Sequence, residues 1–259
     1  MAAQPLLALR GVSKRFAAVQ ALADVELEIR AGEVVALMGD NAAGKSTLVK
    51  VISGVGPADR GVIEWQGGAV QIRRPQDAQV LGIATVYQDL AMCGNLDVVA
   101  NLFLGREIHR LGILDEVEME RRTRELLKTL SIRIPDVRVP LATLSGGQRQ
   151  VVAITRSFLG EPRLVLLDEP TASLGIEQTS QLLDLIEELR DQGLGVLLIS
   201  HNMGDIKAVA DRVAVLRLGR NNGFFDVNTT SQEQIISSIT GASDNAVAHR
   251  TTRPEEAWP

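Results

Sequence analysis

The chain has 259 residues, of which 45% are hydrophobic and 23% charged, the profile of a soluble globular protein with room for one large domain or a core carrying a subdomain. A formal net charge of −5 argues against a general nucleic-acid binder, which would carry a basic patch or stripe. The single cysteine, Cys93, cannot form an intramolecular disulfide, and no apolar run approaches the roughly 20 residues needed to cross a bilayer. Residues 1–9 lack the basic segment of a secretory signal, so a role at a membrane would require another subunit to bring the chain there.

In chain order, residues 6–9 form a short apolar run, and residues 25–29 alternate apolar and polar side chains as a half-buried strand does. Residues 34–38 are continuously apolar and end at Gly39, which predicts a buried strand. A helix should begin within the loop that follows and continue through Leu48, Val49, Val51 and Ile52. From 95 to 130 the chain turns helical in character, with Leu126, Leu127 and Leu130 at helical spacing, and residues 151–159 predict another helix. Residues 164–167 and 196–199 read as buried parallel strands, joined by an amphipathic helix over 178–190. A further strand is expected at 213–216, and residues 242–259, without periodicity, read as a flexible tail. No internal repeat is visible.

Three motifs carry chemistry. Gly39-Asp40-Asn41-Ala42-Ala43-Gly44-Lys45-Ser46 fits the phosphate-loop pattern GxxxxGK[ST]. Glycines there allow unusual backbone angles and close approach, the backbone N–H groups at a helix start cradle phosphates, Lys45 places a cation on them, and the Ser46 hydroxyl can ligate Mg²⁺. Asp168 ends a predicted buried strand, where it can hold Mg²⁺; Glu169, one residue on, points differently and can face an attacking water. Between these two motifs lies Leu144-Ser145-Gly146-Gly147-Gln148, whose glycines open a helix and can form a second anion site. A chance phosphate loop occurs in about one chain in a hundred of this length, so the joint occurrence of all three in this order is not coincidence.

The three together, over residues 6–241, resemble the ATP-binding cassette (ABC) ATPases, the motor domains of ABC transporters. The resemblance implies an α/β fold with a parallel-sheet nucleotide core, an N-terminal antiparallel β portion and a helical subdomain inserted at about 90–160, all within a domain of residues 5–241. It implies ATP and Mg²⁺ as ligands, with Gly39, Asp40, Asn41, Ala42, Ala43, Gly44, Lys45, Ser46 and Thr47 on the nucleotide. Gln88 matches the family's glutamine loop, which reaches Mg²⁺ or the water; His201 matches the switch histidine near the γ-phosphate; Phe16 matches the aromatic that stacks on adenine, a core role being its alternative. In this family Ser145, Gly146, Gly147 and Gln148 close over the ATP of a second cassette, which implies a homodimer, or a pairing with another cassette, with two ATP at the interface.

Two positions depart from the usual pattern. Close relatives usually carry Gly where Ala42 stands, and a negative φ is expected there, leaving the methyl group harmless. Gly175 stands where most cassettes have Asp, a substitution shared by some sugar-importer cassettes. The stretches around Gly39, Val86 to Ala91, 95–105, Ile199 to Met203 and Val215 to Arg220 are similar to monosaccharide importers of the single-cassette, fructose/xylose type. That implies an integral membrane permease, an extracytoplasmic sugar-binding protein as an indirect partner, no nucleic acid, and a peripheral place on the cytoplasmic face of the membrane. The apolar groups of 88–105 are expected to divide between the subdomain core and a groove for the permease. An importer of another solute such as an amino acid, or a soluble ABC ATPase without a membrane partner, would carry the same motifs.

Overall fold

The computed structural model describes residues 4–89, 91–172 and 174–241. The expected tail, Leu90 at the start of the expected subdomain, and Ser173 lie outside them. The strands β1 (Leu7–Phe16) and β2 (Val19–Ile29) form a hairpin, and β3 (Val34–Met38) leads into α1 (Lys45–Ile52). Then come β4 (Arg60–Trp65), β5 (Gly68–Val70), α2 (Pro75–Val80) and β6 (Ile83–Val86). An insertion follows: α3 (Val98–Phe103), the hairpin β7 (His109–Arg110) and β8 (Ile113–Leu114), α4 (Glu116–Thr129), a 3₁₀ turn and α5 (Gly146–Phe158). The chain re-enters the core as β9 (Leu164–Asp168), α6 (Ile176–Asp191), β10 (Gly195–Ile199), α7 (Met203–Val209), β11 (Arg212–Arg217), β12 (Arg220–Asp226) and α8 (Gln232–Thr240).

The central sheet has six strands in the order β12-β11-β3-β10-β9-β6, parallel except for β12. A second, antiparallel sheet runs β2-β1-β4-β5. Residues along β3 and β9 are buried on both faces, as a parallel strand requires. The period of two divides them between cores: Val35, Leu37, Leu164 and Leu166 pack with β1, β2 and α1, whereas Val34, Ala36, Val165 and Leu167 pack with α5, α6 and α7. A third core, built from Val98, Leu102, Met119, Leu127 and Val152, holds the inserted helices together.

The parallel core, the N-terminal antiparallel part and the helical insertion match the expected architecture. The helical reading of 95–130 is interrupted in the structure. Gly105 and Gly112 adopt left-handed φ of 76° and 80°, and the chain between α3 and α4 turns through a small hairpin. The α5 helix begins where Gly146 and Gly147 were expected to open one, ahead of the apolar run at 151–159. Ser145 Oγ accepts from the Gln148 N–H at 3.2 Å and Gln148 Oε1 accepts from the Ser145 N–H at 2.9 Å, a reciprocal cap that begins the helix at Gly146.

Candidate functional site

In an open parallel sheet, ligands bind outside the carboxyl ends of the strands, where helix N-termini and loops gather. Ile199 at the end of β10 pairs with Leu37 of β3 on one side and Asp168 of β9 on the other. The loops leaving these three strands, and Gln88 just past β6, therefore emerge side by side. They surround a cleft of about 740 Å³ whose walls include Asn41 to Thr47, Gln88, Asp168, Glu169 and His201.

The loop between β3 and α1 is built around its glycines. Gly39 has φ 153°, and a Cβ there would lie 2.3 Å from the Leu216 carbonyl oxygen; Gly44 has φ 106°, and a Cβ there would lie 2.8 Å from the Ala21 carbonyl oxygen. Neither position admits a side chain. The loop is thereby drawn against β2 and β11, and the Gly219 N–H donates to the Ala43 carbonyl at 3.0 Å. The Lys45 ammonium folds back over the loop, donating to the carbonyls of Gly39 at 2.8 Å and Asp40 at 3.1 Å. Helix α1 starts at Lys45, so the first N–H groups of Lys45, Ser46 and Thr47 have no intrahelical acceptor and carry the positive end of the helix dipole. The expected negative φ at Ala42 is corrected: it is +65°. Ala42 lies between Gly39 and Gly44, whose contacts hold the loop against β11 and β2, and its exposed methyl group avoids a clash without relieving the backbone.

Asp168 and Glu169 diverge as expected. Asp168 ends β9, half-buried, and burial first, then the neighbouring Glu169 charge, raises its pKa above the ordinary 3.8, against the pull of Lys45 and Lys50. A carboxylate held at that cost gains from a nearby cation. Glu169 turns away through a left-handed φ of 50°, its N–H donating to the Ile199 carbonyl at 3.0 Å, and its Oε2 lies 2.8 Å from His201 Nδ1. Glu169 is mostly buried while His201 is 73% exposed, so the histidine screens the carboxylate from the open side.

The donors a Mg²⁺ would use, Ser46 Oγ, the Gln88 amide oxygen and Asp168, all belong to this one cleft. Among the described residues no group of three or more His, Cys, Asp or Glu could hold a metal by itself. Ser46, Gln88 and Asp168 are oxygen donors with one carboxylate among them, which fits Mg²⁺, a hard cation bound through one or two carboxylates with water and phosphate completing its shell.

Phe16 lies at the end of β1, opposite Val19, 51% exposed and outside the lining of the cleft. Lys14 Nζ stands 5.5 Å over its ring. The cleft wall on that side is Val19, Gln20 and Ala21, which the sequence reading did not single out; Val19 and Gln20 are exposed and Ala21 half-buried on an edge strand, and no motif marks them. Nor did it find Asp205, a buried carboxylate of α7 that accepts from Thr171 Oγ1 at 2.7 Å and ties the loop after Glu169 to the segment after His201. Ser145, Gly146, Gly147 and Gln148 contribute nothing to the cleft; Gly147 and Gln148 border a separate one with Gln178.

A family model described as "ABC transporter" matches residues 22–172, more than half the chain and the stretch from β2 to the loop after Glu169. The chain belongs to the ABC transporter family. It is an ABC-transporter ATPase, a class that typically binds ATP and Mg²⁺. The cassette is 44% identical over 235 residues, 91% of its length and 94% of the relative's, to the xylose/arabinose import ATP-binding protein XylG of Sulfolobus acidocaldarius. It is 40% identical over 252 residues, 94% and 97% of the two lengths, to the fructose import ATP-binding protein FrcA of Rhizobium meliloti. It also matches the ribose import ATP-binding protein RbsA 1 of Rubrobacter xylanophilus at 39% identity, covering 98% of the cassette but 50% of that protein. Among solved structures, a nucleotide-free ATP-binding cassette from an ABC transporter superposes with a TM-score of 0.80 at 24% identity, covering 96% of this chain and all of that one (100%). No helix among the described residues is long and apolar enough to cross a membrane.

Proposed function

We propose that this cassette is the ATP-hydrolysing motor of a monosaccharide importer, working as a pair of cassettes that sandwich two ATP beneath a membrane permease. The carrying observation is the convergence of Lys45, Ser46, Gln88, Asp168, Glu169 and His201 on one cleft at the strand ends. The Lys45 ammonium leaves the carbonyls of Gly39 and Asp40 for the β- and γ-phosphates, while the loop N–H groups cradle the phosphate oxygens. Ser46, Asp168 and Gln88 would hold Mg²⁺, which would supply positive charge against the charge developing on the phosphates. Glu169 orients and deprotonates the attacking water, and His201, already 2.8 Å from that carboxylate, holds it in place and reaches toward the γ-phosphate. Phe16 serves the adenine from the strand next to the cleft.

Two observations support the pairing. The Ser145–Gln148 segment lies outside the cleft of its own chain, yet it starts a helix whose exposed Ser145 and N-terminal N–H groups suit an anion. Related cassettes also assemble: MJ0796, a bacterial ABC transporter cassette, has been solved as a dimer. The sugar assignment is supported by relatives named for xylose/arabinose, fructose and ribose import. On this reading the cassette sits on the cytoplasmic face, held there by the permease, and specificity resides in the permease and an external sugar-binding protein.

The test is reconstitution. The full chain should co-purify with a multi-span permease, and in liposomes a monosaccharide presented with its binding protein should raise the ATPase rate, because loading biases the permease and so cassette closure. Free monosaccharide should give no calorimetric binding to the isolated chain. Saturable sugar binding to the isolated chain would end this division of labour; stimulation only by amino acids would end the sugar assignment and leave the motor standing.

A further inference from the structure

We propose that Gln178 is a positioning residue of the two-cassette site, holding the N-terminus of α5 and the Leu174–Gly175 segment at one fixed spacing. The proposal rests on the reading above that Ser145, Gly146 and Gly147 act on the ATP of a second cassette.

Gln178 sits in the first turn of α6, away from the cleft of its own chain. Its side chain makes two contacts with different elements. The amide oxygen accepts from the Gly175 N–H at 3.0 Å. Gly175 has no side chain with which to cap α6, so this return bond from Gln178 secures the turn. The aliphatic stem lies directly beneath Gly147. A Cβ built on Gly147 would stand 2.8 Å from both Cβ and Cγ of Gln178, closer than real Cβ atoms approach other carbons.

The direction of that missing Cβ is informative. Gly147 is buried, and its absent side chain would project into α6 of its own chain. Its requirement for glycine is therefore met by packing within the chain as well as by any approach of a ligand from outside. Its φ is not among the left-handed ones, so the backbone itself would accept alanine. In a helix, alanine in place of glycine is otherwise favourable. What stands in the way is the stem of Gln178. One side chain thus sets how closely α5 rests on α6 and anchors the loop that precedes α6. Both segments would present backbone groups to the second cassette, so their spacing determines whether they reach its nucleotide together.

The experiment uses the full chain and two readouts: ATP affinity of the isolated chain, and the ATPase rate as a function of chain concentration, which reports the pair. Gly147→Ala should lower the rate by roughly a hundredfold, the scale of an overpacked, displaced site. Gln178→Gly, which removes both Cβ and Cγ, should lower it only about threefold to tenfold, with the ATP affinity of the chain's own cleft unchanged within about twofold. Combining the two should return activity to the level of Gln178→Gly alone, because both close carbons are gone. Gln178→Met keeps the stem and should not rescue Gly147→Ala. If Gly147→Ala fails to fold, the melting temperatures of the two double variants decide: recovery with Gln178→Gly but not with Gln178→Met is the expected result. A double variant with Gln178→Gly no more active or stable than Gly147→Ala would overturn the proposal, as would a loss of own-cleft ATP affinity in Gln178→Gly that matches its loss of rate. A wild-type specific activity independent of chain concentration would instead overturn the pairing beneath it, whatever the double variants do.

Discussion

Ala42 carries a methyl group in left-handed backbone at φ +65°. For an L-residue that conformation costs about 1–2 kcal/mol, and glycine would avoid it. Glycine also frees the unfolded chain, which offsets about 0.4–1 kcal/mol of the gain. Ala42→Gly should therefore raise stability by about 0.5 kcal/mol, a melting shift of roughly 1–2 °C for a domain of this size. Calorimetry on the nucleotide-free chain checks it, and a lower melting temperature would mean that the loop tolerates the alanine without strain. Glu169 shows the same backbone sign for a different reason: its φ of 50° carries the carboxylate away from Asp168 and toward His201. Glu169→Gln keeps the shape and a hydrogen bond to the imidazole but removes the basic oxygen. ATP should still bind while turnover falls at least about a hundredfold, within the range for loss of a general base. Near-normal steady-state hydrolysis would reject this residue as the base.

At the scale of elements, helix N-termini do two separate jobs on different faces. That of α1 lies in the cleft; that of α5 lies outside it. On the proposed pairing, a single chain would hold half of each of two sites. Mixing a Lys45→Ala chain with a Ser145→Arg chain puts both lesions in one site of the heterodimer and leaves the other intact. Random pairing makes half of the dimers mixed, so the mixture should recover up to about a quarter of wild-type activity. Mixtures no more active than either variant, with heterodimers shown to form, would count against composite sites. The α4 helix has a plainer task. Arg121, Arg122 and Arg124 pair with Glu118 and Glu120 along its exposed face, and Arg138 ties Glu120 to Asp97 at the cap of α3, so the inserted helices keep their mutual angle. These exposed pairs add geometry more than stability.

At the scale of the whole molecule, a second cleft of about 450 Å³ opens where the core sheet meets the insertion, bordered by Tyr87, Asp89, Ala91, Arg106 and Arg156. Tyr87 faces it, donating its hydroxyl to Ser53 Oγ at the end of α1, while the next residue, Gln88, lines the nucleotide cleft. Two successive residues thus connect the two clefts. Of the apolar groups expected to divide between core and groove, Val98, Val99, Leu102 and Phe103 are buried in the insertion and Met92, Cys93, Leu96 and Leu104 are half-buried; none of these borders the second cleft, which Ala91 does. With Cys93 replaced by Ser, a cysteine at Ala91 or Gln79 should cross-link to a cytoplasmic helix of the permease in the assembled complex. A cysteine at Leu111, at the tip of the β7–β8 hairpin, should not. The reverse pattern would move the docking site from this groove to the hairpin.

The motifs around Lys45, Ser145 and Asp168 were legible from residue order because each is local: a tight loop needs its glycines and a helix start needs its cap within a few positions. The buried parallel strands were legible because two covered faces leave an unbroken apolar run. Short mixed strands such as β6, and helices such as α7 and α8, were not, since too few residues carry their period. Chain order alone also could not say that Glu169 and His201, 32 positions apart, stand 2.8 Å from each other, or that Asp205 secures Thr171. Those contacts follow from strand order and register, which bring β9 beside β10, and long-range pairing is written in no local stretch. The sign of φ at Ala42 likewise came from the loop closing between β2 and β11, and the place of Gln178 beneath Gly147 from how α5 packs on α6: both are set by steric exclusion between segments distant in sequence.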